Sequence, residues 1–391
     1  MRLKAKQVNK IVNYILFVVI FFLQSYVDGK YIAYGEEPAK LKLLKYILLA
    51  VAIMWGVMQL VGKKHFVFLK ELRNMLAVIV VFLLVSILLI LFRDGDLMAC
   101  LELITRYMMS ILYAFVLLNA LDFEDIYRLM TCALLIALFC YFLQHGRDLL
   151  NRSLYALISF QNSYSPFESH YFAAPSINCC AFFLYYRKNK ALSAISFLFV
   201  LMTFKRPQIV AAIVLLLLPL FVDPNRMVKK STHLLMCVGA IAATVLWYYL
   251  LLPEMEWVVE LLTGQSAQIF TSGRSGVLRE LVDSGYRYGG LGSTSVSGNS
   301  GIEMDLVAFM LEMSLPVMAG FVFAFASVSG RRIYTVVVMI YRLLSAMTGS
   351  GLYNVTGVLL LYLFFGSVNY LQPDVLKKTE RRKRWIRIKF R

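Results

Sequence analysis

The sequence predicts an all-α, polytopic membrane protein with about 12 transmembrane helices, and three observations carry that expectation. Of its 391 residues, 60% are hydrophobic and only 16% are charged, whereas soluble domains run at about 45–50% apolar and about 25% charged. The apolar residues fall into runs close to the roughly 20 that a lipid-spanning helix needs, each bounded by charges, glycine or proline. Lysine and arginine concentrate in alternate connectors and at the two termini, the distribution that orients membrane proteins. Residues 1–391 therefore read as a single polytopic domain.

The runs, in order, are 11–27, 43–61, 75–92, 97–121, 126–144, 170–186, 191–204, 207–222, 232–252, 303–327, 333–348 and 352–370. The first lacks a small-residue cleavage site and reads as a retained helix rather than a signal peptide. With Arg2, Lys4, Lys6 and Lys10 inside, the connectors 62–74, 122–125, 187–190, 223–230 and 330–332 become cytoplasmic, as does a basic tail over 372–391. Together these segments hold well over half of the 40 lysines and arginines. Both termini are then cytoplasmic, in agreement with an even number of spans. Only Asp122–Asp125, sequence DFED, runs against the sign. The net charge of +17 raises the nucleic-acid class, but its confinement to connectors and termini argues against that class. The six cysteines all lie in apolar runs, without the spacing of a disulfide framework or a metal site.

Two long segments remain outside, about 145–169 and 253–302, and the second is a large extracytoplasmic loop between spans nine and ten. Loops of this length are uncommon unless functional or disordered. Within it Thr271–Glu312 is the most polar passage outside the termini. It carries Arg274, Arg279 and Arg287, and then Glu303, Asp305 and Glu312 at the start of an apolar run. Val277, Leu278, Leu281 and Val282 have helical spacing and predict a short helix on the membrane surface. Tyr288–Ser295, YGGLGSTS, reads as a glycine-rich turn whose backbone N–H groups are free to face a ligand.

Charged residues inside or beside spans need a reason, because an arginine near a helix centre costs about 2.5–3.5 kcal/mol on insertion scales. Arg106 has Glu102 one turn before it, a pairing distance on a helix. Arg342 has no acid on its own run, which leaves a carboxylate of the Glu312 helix or an external anion. Lys205, Arg206 and Pro207 form a tight outward turn. Pro207 suits the first turn of the next helix, so Arg206 stands at a helix N-terminus, where anions are favoured. Guanidinium groups hold phosphates through paired hydrogen bonds, and a diphosphate calls for more than one. Arg206, Arg274, Arg279 and Arg342 are thus the candidate ligands of a lipid pyrophosphate, with Lys205, Arg106, Arg287 and Glu312 as secondary candidates. Glu303 and Asp305 are candidates to orient or deprotonate a hydroxyl. Simple pairing with the arginines is the plainer alternative for the carboxylates. Asp305 and Glu312, seven apart, share a helix face.

The passage TFKRPQIVAAIVLLLLPLF resembles the Ser-Arg helix start of the bacterial O-antigen polymerase and O-antigen ligase superfamily, with Lys205 where serine is frequent. GRSGVLRELV, then YGGLGSTS, then LEMSLPVMAGFVF resemble that family's large periplasmic loop and the helix after it. The resemblance implies a C-type glycosyltransferase-like fold acting on glycans linked to undecaprenyl pyrophosphate at the outer face of the bacterial plasma membrane. The ligase branch carries a histidine at the loop-to-helix junction, where this chain has Glu303 and Asp305. The polymerase branch, which makes capsular or O-antigen polysaccharide by inverting transfer, is the closer likeness.

The expected partners are a lipid-linked glycan donor, a lipid-linked acceptor, membrane lipid and other polysaccharide assembly proteins, with no nucleic acid. No cofactor and no metal are expected, since no nucleotide is expected outside the cell. An O-antigen-ligase-like transferase and a lipid-linked oligosaccharide flippase are the alternatives. No internal repeat supports an inverted-repeat transporter.

Overall fold

The computed structural model describes residues 2–34, 39–93, 96–159, 165–297, 301–352 and 354–371. The basic tail expected over 372–391 lies outside the described residues. Those residues are overwhelmingly helical, and short connectors join the helices.

The first half of the chain is a series of long helices: α1 (Arg2–Tyr34), α2 (Ala39–Leu60), α3 (Leu69–Phe92), α4 (Leu97–Ala120) and α5 (Phe123–Leu149), followed by the single turn α6 (Arg152–Tyr155). Next come α7 (His170–Tyr186), α8 (Lys190–Met202), α9 (Arg206–Phe221) and α10 (Lys230–Leu250). The scarce polar residues mark where helices begin. Asp96 accepts from the backbone N–H of Met98 at 2.7 Å, and Asp122 from that of Asp125 at 3.0 Å. Asn189 accepts from Ala191 at 2.9 Å, and Ser169 from Phe172 at 3.4 Å. Each satisfies a donor that the first helical turn leaves open.

Among the described residues six helices are long and apolar enough to cross a membrane: Gln7–Val27, Leu43–Leu60, Leu69–Phe92, Leu97–Ala120, Phe123–Leu149 and Lys230–Leu250. Of the roughly 12 expected spans, of which 191–204 and 333–348 are short already in the sequence, several are shorter apolar helices, including Lys190–Met202, Arg206–Phe221 and Ile333–Thr348. A 16-residue helix is about 24 Å long, less than the roughly 30 Å hydrocarbon core. The run 303–327 is not one helix. It breaks at Ser314, φ 118°, into α15 (Asp305–Met313) and α16 (Leu315–Val328). Pro316 stands in the first turn of α16, where its missing N–H is harmless.

The last helices, α17 (Ile333–Thr348) and α18 (Val355–Tyr370), close the bundle. Every residue from Val355 to Val368 is buried, so α18 is apolar on all sides and forms the central post. It packs on α4, α7 and α5. Lipid tails are as apolar as leucine, so close approach and dispersion hold such helices together. Glycines permit that approach. A Cβ on Gly366 would lie 2.1 Å from Leu118, and one on Gly56 would lie 1.8 Å from Val116. Phe82, Phe309 and Phe321 interlock α3, α15 and α16, with ring centroids 5.0–5.7 Å apart.

The segment 253–302 is largely folded. After a 3₁₀ turn at Pro253–Met255 it forms α11 (Glu256–Thr263), α12 (Ala267–Phe270), α13 (Arg274–Asp283) and α14 (Ser293–Ser297). The expected helix over 274–283 is present, but Leu278 and Leu281 face protein rather than a membrane surface. They join Val259, Ala267, Ile302, Met304 and Leu251 in a second, smaller apolar core.

Candidate functional site

The bundle has two chemically different ends. One gathers the connectors 62–68, 119–125, 187–190, 223–229 and 330–332. Lys63 donates to the carbonyl of Asn119 at 2.7 Å, and Lys10 pairs with Asp125 and lies 3.9 Å from Asp122. Lys188 pairs with Glu124. Asn225 accepts from Tyr185 at 2.5 Å and from Arg332 at 2.6 Å. The DFED segment is thus matched by cations of its own end, which explains why acids sit in an otherwise basic set.

The opposite end holds the cluster of interest, assembled from five separated segments. Lys205 and Arg206 stand on the turn between α8 and α9, with Phe204 in the left-handed region at φ 52°. Lys205 is the N-cap of α9, and Pro207 follows Arg206 in the first turn. The loop before α7 is fastened to this turn on both sides of Glu168. The Phe167 ring packs on that of Phe204 with centroids 5.4 Å apart, and the Ser169 N–H donates to the Thr203 carbonyl at 3.4 Å. Glu168 is thereby set in the electrostatic field of Lys205, Arg206 and Arg274.

Arg274 begins α13. Gly273 before it has φ 89°, a conformation that glycine adopts without a Cβ penalty. One Arg274 nitrogen donates to the Thr271 carbonyl at 3.1 Å and another to Glu303 at 3.0 Å. The Glu303 side chain is 60% exposed and that of Arg274 only 19%. Below them lie Asp305 and Arg342, both buried. Asp305 accepts from the Leu352 N–H at 2.8 Å, and Arg342 donates to the Gly351 carbonyl at 2.5 Å. The two opposite charges thus hold the α17–α18 connector from both sides. Arg342 Nε, Asp305 Oδ1 and Arg274 Nε are buried and make no hydrogen bond among the described residues.

Charge is held here at a cost. Burial pushes the Lys205 ammonium down to about 8. Arg274 and Arg342 push the same way, while Glu168 and Glu303 oppose them. Burial raises Glu168 above its ordinary value, against the pull of Lys205, Arg274 and Arg206. Four cations (Lys205, Arg206, Arg274, Arg342) face three carboxylates (Glu168, Glu303, Asp305), a near-balanced set with a small positive excess.

Other candidates from the sequence lie in different settings. Arg279 donates to Glu256 at 2.8 Å and to the Leu251 carbonyl at 2.9 Å, tying α13 to the end of α10. Five residues separate it from Arg274, which turns it to another side of α13. Arg106 pairs with Glu102, as its spacing suggests, and also donates to the Tyr46 hydroxyl at 3.1 Å. Arg287 is exposed beyond α13.

Glu312 is 1% exposed and organises the glycine-rich turn. It accepts from the N–H of Gly292 at 2.9 Å, the N–H of Thr294 at 3.2 Å and the Thr294 hydroxyl at 2.6 Å. The turn expected to offer free N–H groups therefore has three of them committed to Glu312, those of Gly292 and Thr294 to its carboxylate and that of Gly290 to its backbone carbonyl at 3.1 Å. Gly290 and Gly292, φ 91° and 85°, let the turn lie directly on Ser86 and Ala99.

The residue that sequence reasoning missed is Glu168. A lone acid in a loop, 37 residues before Lys205, gives no local signal of belonging with it. Comparison with family models, with curated proteins and with solved structures returns no match. The chemistry therefore rests on geometry: four cations and three carboxylates brought together at one end of the bundle.

Proposed function

We propose that the chain is a polysaccharide polymerase, a membrane glycosyltransferase that joins undecaprenyl-pyrophosphate-linked repeat units at the outer face of a bacterial plasma membrane. The observation that carries this reading is the convergence of Lys205, Arg206, Arg274 and Arg342 at the end of the bundle away from the basic connectors. Under the positive-inside rule that end is extracytoplasmic. The cluster keeps a small positive excess over its own carboxylates, and a diphosphate matches several convergent cations.

In this mechanism Arg206 and Arg274 hold the diphosphate of the donor, with Lys205 beside them and Arg342 beneath. Fixed cations stabilise the charge that builds up on the diphosphate as the glycosidic bond to the anomeric carbon breaks. A hydroxyl of the acceptor glycan attacks that carbon from the opposite side, which inverts its configuration. Glu303, with its exposed side chain, takes the proton of that hydroxyl. Asp305, fully buried against Leu352, positions Arg342 instead. Arg279 and Glu312 act through the loop, holding α13 and the glycine-rich turn in place.

The test is reconstitution of the full chain in vesicles with undecaprenyl-pyrophosphate-linked repeat units. The expected result is a ladder of glycan lengths with release of undecaprenyl pyrophosphate. Movement of intact units across the bilayer with no ladder would overturn this reading in favour of a flippase.

A further inference from the structure

Glu168 poses an electrostatic problem for any anion that enters the cluster. Its neighbours Phe167 and Ser169 are locked to Phe204 and Thr203, so the backbone cannot easily carry the carboxylate away from Lys205 and Arg206. It lies within the field of three of the cations that a diphosphate would use. The other two carboxylates differ. Glu303 bonds Arg274 from a side chain that is 60% exposed, so it can swing into water at little cost. Asp305 is committed to Leu352 and already balances Arg342.

We infer that Glu168 is the resident counter-anion of the cluster, and that it surrenders its negative charge by binding a proton when a phosphate-type dianion enters. The inference rests on the anion-site reading above and deepens it by making ligand binding proton-linked. Two like charges in one partly buried site are costly, and neutralising the weaker acid removes the conflict. Burial already raises the proton affinity of Glu168, which lowers the cost of that step. Lys205 is the second titrating group of the site. With its ammonium pushed down to about 8, it also gains a proton when an anion arrives, but on the alkaline side. Arg206, Arg274 and Arg342 supply the guanidinium groups of the site, and Glu303 is the remaining carboxylate that faces Lys205.

The experiment is isothermal titration of the full-length protein in lipid nanodiscs with P1,P2-dimethyl diphosphate. This diester mimics the donor's diphosphate and has no titrating proton near neutral pH. Titrations in buffers of different ionisation enthalpy count the protons taken up. We expect uptake in two limbs. The acid limb, displaced above the ordinary carboxylate range by the burial of Glu168, weakens Kd by at most about tenfold per pH unit as the pH rises. It disappears in E168Q, whose binding at neutral pH is tighter than wild type. The alkaline limb disappears in K205R and leaves the acid limb intact. In E168D the acid limb persists, with its midpoint at lower pH.

An acid limb that survives E168Q, or whose midpoint is unmoved in E168D, overturns the assignment of Glu168. Wild-type binding without an acid limb overturns this inference alone. Absence of binding by the wild-type protein overturns both it and the anion site.

Discussion

The guanidinium of Arg274 meets the carboxylate of Glu303 at 3.0 Å across 29 residues of chain, so the first arginine of segment 253–302 is joined to the acid that directly follows that segment. The pair ties the start of α13 to the residue two before the buried Asp305. One partner is well shielded and the other mostly exposed, which makes it an exchangeable bond rather than a structural clamp.

Such a pair contributes about 0–1 kcal/mol to stability. R274A and E303Q are therefore expected to unfold within about 1 kcal/mol of wild type while transfer falls by about 100-fold or more, the scale set by loss of a charge-stabilising or base residue. Denaturation monitored by intrinsic fluorescence, alongside the ladder assay, checks the separation. A large loss of stability in either variant would show the pair to be structural.

Glu312 has the opposite profile. Its carboxylate is buried and accepts three hydrogen bonds from Gly292 and Thr294. E312A leaves those donors buried without partners, at about 1–3 kcal/mol for each unsatisfied group. The expected outcome is a loss of about 3 kcal/mol or more and faster proteolysis within 285–297, read by limited digestion. Wild-type resistance in E312A would contradict the clasp.

Lys205 gives the pH dependence. Its ammonium titrates at about 8 in the fold against an ordinary 10.5. Between those values the unfolded chain binds more protons than the folded one, so stability rises with pH across that window. Below about 8 the full penalty of a buried charge is present. Thermal unfolding over a pH series should show this rise in wild type. K205M should lack it and be the more stable of the two at neutral pH. A flat wild-type profile would contradict the burial of this charge.

Gly366 tests the packing of the central post. A Cβ there would meet Leu118 at 2.1 Å, so G366V forces α18 off α4 and is expected to cost about 1–3 kcal/mol. Its yield of monodisperse protein in detergent, against that of G320A, is the measurement. Gly320 has no atom within 4 Å of the added methyl.

What could be read from the sequence was what chain neighbours determine. The helical runs, the turn at Lys205–Pro207, the helix over 274–283 and the Glu102–Arg106 pair follow from hydropathy and spacing within a few residues. The clasp of Glu312 on Gly292 and the arrival of Glu168 beside Arg206 depend on contacts across 18 or more residues. Composition carries no trace of those. The Asp122–Asp125 segment looked anomalous only because its partners, Lys10 and Lys188, lie far away in the chain.

The central claim is that cations on the α8–α9 turn and on α13 act together on one diphosphate. The most direct measurement is the rate of ladder formation from lipid-linked repeat units by wild type, R206A, R274A and the double variant. If both arginines grip one leaving group, each single variant loses most of the activity and the double loses much less than the product of the two effects, as groups acting as a unit do. Ladders at the wild-type rate in the double variant would contradict the account.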